Sequence, residues 1–273
     1  MDDLRSEIPT QEIRGYLKAA CDIAELMTTR INEVMASGFD IQAKADQSVV
    51  TTADTEAETT FREAVVALYP DHGILGEEFP AIQQDSDYIW VVDPIDGTAE
   101  FAHGMPVWGI IIALYYKGEP IVGLVEHPAL QLRCVAGFGL GTELNGRRVQ
   151  VEPISDEDMN GRERVGTPSR YNYSRPVDDG VLFDRLSKAH PNLRIFHTCY
   201  THLLAVSGGL DAAIEWNSPL WDVAASRILI EEAGGQYLCL GRYKNDAGVE
   251  CFNIVFGRPE LVDRIGTVLR KSP

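Results

Sequence analysis

Trp90-Val91-Val92-Asp93-Pro94-Ile95-Asp96-Gly97-Thr98 is the stretch around which the rest of this chain is organised. The apolar, β-branched and aromatic run Tyr88 to Val92 reads as a buried strand that delivers Asp93 to its end. Pro94 removes an N–H and biases Asp93 towards an extended conformation, so the chain is expected to turn at once. The turn would then carry Asp93 and Asp96, with the Ile95 carbonyl between them as a third oxygen ligand for a hard cation. Gly97 tolerates a positive φ, and Thr98 can open a helix and offer its N–H to an anion. A surface turn is the alternative, because Asp, Pro and Gly favour turns in any context.

Two further stretches weigh against a mere turn. Ile74-Leu75-Gly76-Glu77-Glu78 places a carboxylate pair after another short apolar run, and Trp221-Asp222-Val223-Ala224-Ala225 places an acid where a helix should begin. Open α/β sheets build their sites at such strand and helix ends.

Taken together these blocks resemble the inositol monophosphatase family of metal-dependent phosphatases. The resemblance rests on Gly76-Glu77-Glu78, on Asp93 to Thr98, on Trp221 to Ala225 followed by Glu232-Ala233-Gly234-Gly235, and on Lys44-Ala45-Asp46 with Ser48, Thr51 and Asp54. It implies a layered α-β-α-β-α sandwich of two linked sheets. It also implies that Glu77, Asp93 and the Ile95 carbonyl hold one Mg²⁺, and that Asp93, Asp96 and Asp222 hold a second. The Gly97 and Thr98 amides would cradle phosphate, with Lys44 nearby. Thr98, Asp54 and Glu78 would orient the attacking water, and Glu215 would meet the leaving group. All-oxygen ligation suits Mg²⁺ and disfavours zinc. Homodimers and inhibition by lithium are further expectations from the resemblance.

The fit to substrate is uneven. Gly104 to Gly109 and His127-Pro128-Ala129-Leu130 resemble the histidinol-phosphatase branch of the family, but Phe196-His197-Thr198 matches neither branch. Ala99-Glu100 replaces the common Thr-Asn pair. The expected substrate is a small phosphorylated polyol such as myo-inositol 1-phosphate, with histidinol phosphate as the alternative. A catalytically silent metal-binding or regulatory protein is a third reading.

Composition sets the outer limits. With 24 Lys and Arg against 41 Asp and Glu, the net charge of −17 argues against a nucleic-acid partner. Bound divalent cations would reverse that sign locally for a phosphate substrate. No apolar run is of membrane-spanning length, and the acidic start Met1-Asp2-Asp3 lacks the features of a signal peptide, so the cytoplasm is the expected location. The five cysteines show no metal-binding spacing and read as reduced core thiols.

The remaining pattern suggests a run of strands in the first half and alternating strands and helices in the second. Ile13, Leu17, Cys21, Ala24, Thr28, Ile31 and Met35 mark the apolar face of a first helix over 10–38. Asp54 reads as the cap of a second helix, Lys117-Gly118 and Asn145-Gly146 as hairpin turns, and 149–152 as a strand. Beyond a boundary at Ile154 to Arg164, helices are expected at 179–189, 200–208, 222–233 and from Pro259 onward. The two halves, 1–153 with the metal and phosphate loop and 154–273 with Asp222, should pack as one unit.

Overall fold

The computed structural model describes residues 3–43, 49–155, 161–174, 180–245 and 248–270. The long first helix α1 (Thr10–Ser37) stops at Gly38, whose φ of 88° suits a residue without a side chain. It buries Ile13, Tyr16, Ala20, Ile23, Met27, Ile31 and Val34. Leu17 and Cys21 lie at the margin and Met35 is exposed, so the core face is rotated from the one expected. The cause is Tyr16, whose ring packs on Tyr69, Tyr88 and Trp90 and turns the helix towards them.

A short hairpin, β1 (Ile41–Ala43) and β2 (Val49–Thr51), leads into α2 (Thr52–Leu68). Thr51, not Asp54, is the cap of α2. Asp54 occupies the third helical position of a capping box and accepts the Thr51 N–H.

The first sheet runs in chain order through β3 (Gly73–Gly76), β4 (Tyr88–Asp96), β5 (Gly109–Tyr116), β6 (Glu119–His127), β7 (Leu132–Gly137), β8 (Gly141–Leu144) and β9 (Arg147–Val149). Only β3 and β4 pair in parallel. The short helix α3 (Thr98–Ala102) follows β4. Both expected hairpin turns form, with positive φ at Lys117, Gly118, Asn145 and Gly146. The strand expected at 149–152 is displaced to β9, because the Asn145-Gly146 turn fixes its register with β8.

The second half supplies β10 (Val165–Thr167), α4 (Arg170–Tyr173), α5 (Val181–Ala189), β11 (Leu193–Ile195), α6 (Tyr200–Ser207), β12 (Ala212–Pro219), α7 (Leu220–Val223), α8 (Ser226–Glu232), β13 (Gln236–Lys244), β14 (Glu250–Gly257) and α9 (Pro259–Arg270). Its sheet has the order β11-β10-β12-β14-β13. The helix expected over 222–233 is two helices, broken at Ala224-Ala225, and Asp222 lies inside the first rather than at a cap.

Helices α1 and α2 cover one face of the first sheet, α6 to α8 lie between the two sheets, and α9 with α4 covers the far face of the second. This is the expected α-β-α-β-α order. An apolar cluster containing Val91 and Ile111 from the first sheet and Ile228 and Ile254 from beyond it joins the two halves. Among the described residues no helix is long and apolar enough to cross a membrane.

Candidate active site

The chain does not turn directly after Pro94. Strand β4 continues to Asp96, with a register shift between the pairs Asp93↔Ile111 and Asp96↔Gly109. A bulge absorbs the residue that cannot donate to the ladder, and bulges re-aim side chains. The reversal comes at Gly97, in the left-handed region at φ 83°, and α3 starts with Thr98. A Cβ on Gly97 would stand 2.5 Å from Thr198 Cγ2, so both conformation and space require glycine.

The bulge holds Asp93 in the interior, where its Oδ1 accepts the Ile95 N–H at 3.1 Å. Glu77 directly follows the end of β3, and α7 brings Asp222 from the other half. Glu77, Asp93 and Asp222 each present a carboxylate oxygen, all within 4.8 Å of one another. Burial, reinforced by Glu77, Asp96, Asp222 and Asp54, drives the Asp93 carboxyl well above the usual carboxylate range. No Arg or Lys is among the described residues lining this cleft of about 340 Å³. Three crowded carboxylate oxygens form a donor set suited to a hard divalent cation. The residues fit the ion that the resemblance implies.

Asp96 lines the same cleft but stands outside that trio. Its Oδ2 accepts a short bond from the Cys199 N–H at the entry to α6. Its carboxyl is pushed up to about 7, chiefly by burial and further by Glu215, against the lowering effect of the Cys199 bond.

Thr98 Oγ1 lies 3.0 Å from Asp54 Oδ1 and 3.1 Å from the Ile95 carbonyl. Asp54 Oδ2 in turn accepts the Thr51 N–H at 2.8 Å and the Thr51 hydroxyl at 2.6 Å. Burial raises the Asp54 pKa in spite of these bonds. Glu78 belongs to the loop after β3 but is not among the residues lining the cleft. Lys44, an expected substrate contact, lies outside the described residues.

A second lobe of about 70 Å³ adjoins the first, and Asp96, His197 and Asp222 line both. Glu215 lines this lobe from a second bulge, on β12, where the register shifts between Glu215 and Ser218. Its Oε1 accepts the Thr201 hydroxyl at 2.9 Å and lies 3.6 Å from His202 Nε2. Phe196, Asn172 and Ser218 also line it, and no Arg or Lys is among the described residues that do.

Sequence reasoning missed the support behind Glu77. Glu58 on α2 is fully buried and accepts the N–H groups of Glu78 at 2.7 Å and Phe79 at 3.3 Å. Arg62 donates to Glu58 at 2.8 Å and to the carbonyls of Phe79 and Pro80. A Cβ on Gly76 would collide with the Glu58 carboxylate. The four-residue spacing of Glu58 and Arg62 was the available signal.

Residues 12–254 match the model of the inositol monophosphatase family, and the chain belongs to that family. It is 36% identical over 230 residues to a histidinol-phosphatase of Chlorobaculum parvum, covering 84% of this chain and 82% of that one. It is 28% identical over 267 residues to a fructose-1,6-bisphosphatase/inositol-1-monophosphatase of Aquifex aeolicus, covering 93% and 97%. The extragenic suppressor protein suhB of Bartonella henselae has a similar structure, with a TM-score of 0.79 at 25% identity over 94% of this chain and 98% of that one. Family and relatives make the chain a phosphoric monoester hydrolase of a metal-dependent family.

Proposed function

We propose that the chain is a Mg²⁺-dependent phosphomonoesterase acting on a small phosphorylated polyol or amino alcohol. The observation that carries this reading is the meeting of Glu77, Asp93 and Asp222 beside the hydrogen-bonded pair Thr98–Asp54. Glu77, Asp93, Asp222 and the Ile95 carbonyl, with Asp96, would hold Mg²⁺, which when bound neutralises phosphate charge and acidifies water. Asp54 accepts the Thr98 hydroxyl proton and so turns the oxygen lone pairs of Thr98 towards the cleft, where they receive a hydrogen bond from the attacking water. The proton released by that water has a path through Thr98 to Asp54, whose burial raises its affinity for protons. The resemblance adds Glu78, on the loop after β3, to this pair.

The Gly97 and Thr98 amides lie at the start of α3, where N–H groups have no carbonyl one turn back. They would position the phosphate. The leaving group would enter the lobe of Glu215. A lobe lined by Asp96, Glu215 and Asp222, with no Arg or Lys among the described residues that line it, favours a leaving group bearing an ammonium, which supports histidinol phosphate beside myo-inositol 1-phosphate. The same reading places the enzyme in the cytoplasm as a homodimer inhibited by lithium, with two halves divided near 153 that act as one compact unit. Phosphate release from the two esters, measured side by side with and without Mg²⁺, tests it. Mg²⁺-dependent turnover of either supports the proposal, with preference for histidinol phosphate if the charge argument holds. Release that is unchanged by removing Mg²⁺, or absent with both esters, overturns it.

A further inference from the structure

At the end of the second sheet away from the catalytic cleft, three arginines gather around one carboxylate. Arg164 precedes β10, Asp211 precedes β12 and Arg258 follows β14. Arg164 donates to Asp211 through its backbone N–H at 2.7 Å, Nε at 3.2 Å and Nη2 at 3.0 Å. Arg258 Nε reaches the same carboxylate at 3.1 Å, and its Nη1 donates to the Pro153 carbonyl at 3.0 Å. Arg162 is exposed beside them and has no carboxylate partner among the described residues. With Ile154 these four side chains line a cavity of about 300 Å³.

One carboxylate needs one guanidinium, so the described residues of this lining carry a surplus of two positive charges in a chain of net charge −17. Asp211 is buried and fixes the planes of two of the arginines. Arg164 Nη1 and Arg258 Nη2 make no bond to any described residue, and Arg162 adds a full fork of donors. Fixed guanidinium donors around a cavity are the arrangement that recognises oxyanions, because little ordering is left to the moment of binding. Arg258 also stands directly ahead of α9, and the amino end of a helix adds partial positive charge.

We infer that this cavity is a second binding site, for a small oxyanion: phosphate, or the phosphate group of a small metabolite. It is separate from the cleft. Arg164 precedes β10, whereas Pro168, just beyond the other end of that strand, lines the leaving-group lobe, and a three-residue strand spans roughly 10 Å.

The test follows the arginine Nε–Hε resonances by NMR as inorganic phosphate is added at constant ionic strength, with the protein free of metal and then loaded with Mg²⁺. In the metal-free protein the acidic cleft does not compete for phosphate. The Arg162, Arg164 and Arg258 signals should shift along a saturating curve with phosphate or sulfate but not with chloride. Arg162→Gln, which removes an exposed side chain without a partner, should weaken this binding about tenfold and leave phosphatase kinetics unchanged. Shifts that grow linearly and equally in chloride overturn the site, as does phosphate affinity that Arg162→Gln leaves intact.

Discussion

Asp93 lies inside the protein with Glu77, Asp96, Asp222 and Asp54 around it, and its burial, reinforced by these acids, raises its pKa well above the ordinary value. Such a cluster opposes folding until a cation joins it, since like charges brought together out of water repel one another. Asp93→Asn separates the two sides of that balance. The amide keeps the shape of the side chain and its place on the bulge but removes the charge. Mg²⁺-dependent phosphate release should fall about a thousandfold, the loss of several kcal/mol of transition-state stabilisation. In the presence of chelator at pH 8 the variant should melt at a higher temperature than the parent. Full activity in the variant would remove the basis of the metal assignment. A lower melting temperature in chelator would show that the cluster does not carry this strain.

At the scale of elements, the loop after β3 has its position set by α2. Glu58 accepts two of the loop's N–H groups, Arg62 donates to two of its carbonyls, and Gly76 leaves the room they need. Glu77 therefore reaches the cleft from a segment clamped at its back. Glu58→Gln should loosen that clamp and raise the Mg²⁺ concentration required for half-maximal activity by about 10- to 100-fold, as with other residues that orient metal ligands. Excess Mg²⁺ should restore most of the rate. If the variant melts earlier but needs no more Mg²⁺, the pair serves the fold alone. The clamp was hard to foresee because an acid and a base four residues apart on a helix ordinarily form a solvated pair. Only the approach of the distant loop buries this one. The bulges on β4 and β12 were hidden for a related reason: Pro94 signals that regular pairing stops, but the partner strand decides whether the chain turns or bulges. What could be read directly was chemistry bound to local geometry. The Lys117-Gly118 and Asn145-Gly146 turns need two successive positive φ angles, and few residue pairs accept them. The acids at 77, 93 and 222 stood out because each ends an apolar run or enters a helix, whereas the break at Ala224-Ala225 has no comparable mark.

For the whole molecule, the cleft draws Glu77, Asp93 and Asp96 from the first half and Asp222 from the second, so a cation bound there links the two. Its contribution to stability should depend on pH in a definite sense. Asp96 is pushed up to about 7 and Asp93 lies well above its ordinary value. For an acid whose folded pKa exceeds its unfolded one, the folded state binds the extra proton. The associated stability is full below the unfolded value near 3.8 and is lost as pH rises through the folded value. The metal-free protein should therefore lose stability between about pH 5 and pH 8 through these groups. Mg²⁺ competes with the same protons, so its effect should run the opposite way, small at pH 5.5 and large at pH 8. At a hundred times its dissociation constant the ion adds about 2.7 kcal/mol, which for a chain of this length is roughly 5 °C in melting temperature. Melting curves with Mg²⁺ or with chelator plus NaCl of equal ionic strength, taken at both pH values, measure the difference. A Mg²⁺ shift that is the same at both, or larger in acid, would place the ion elsewhere than on these carboxylates, because only ligands that must shed protons can give the binding this slope.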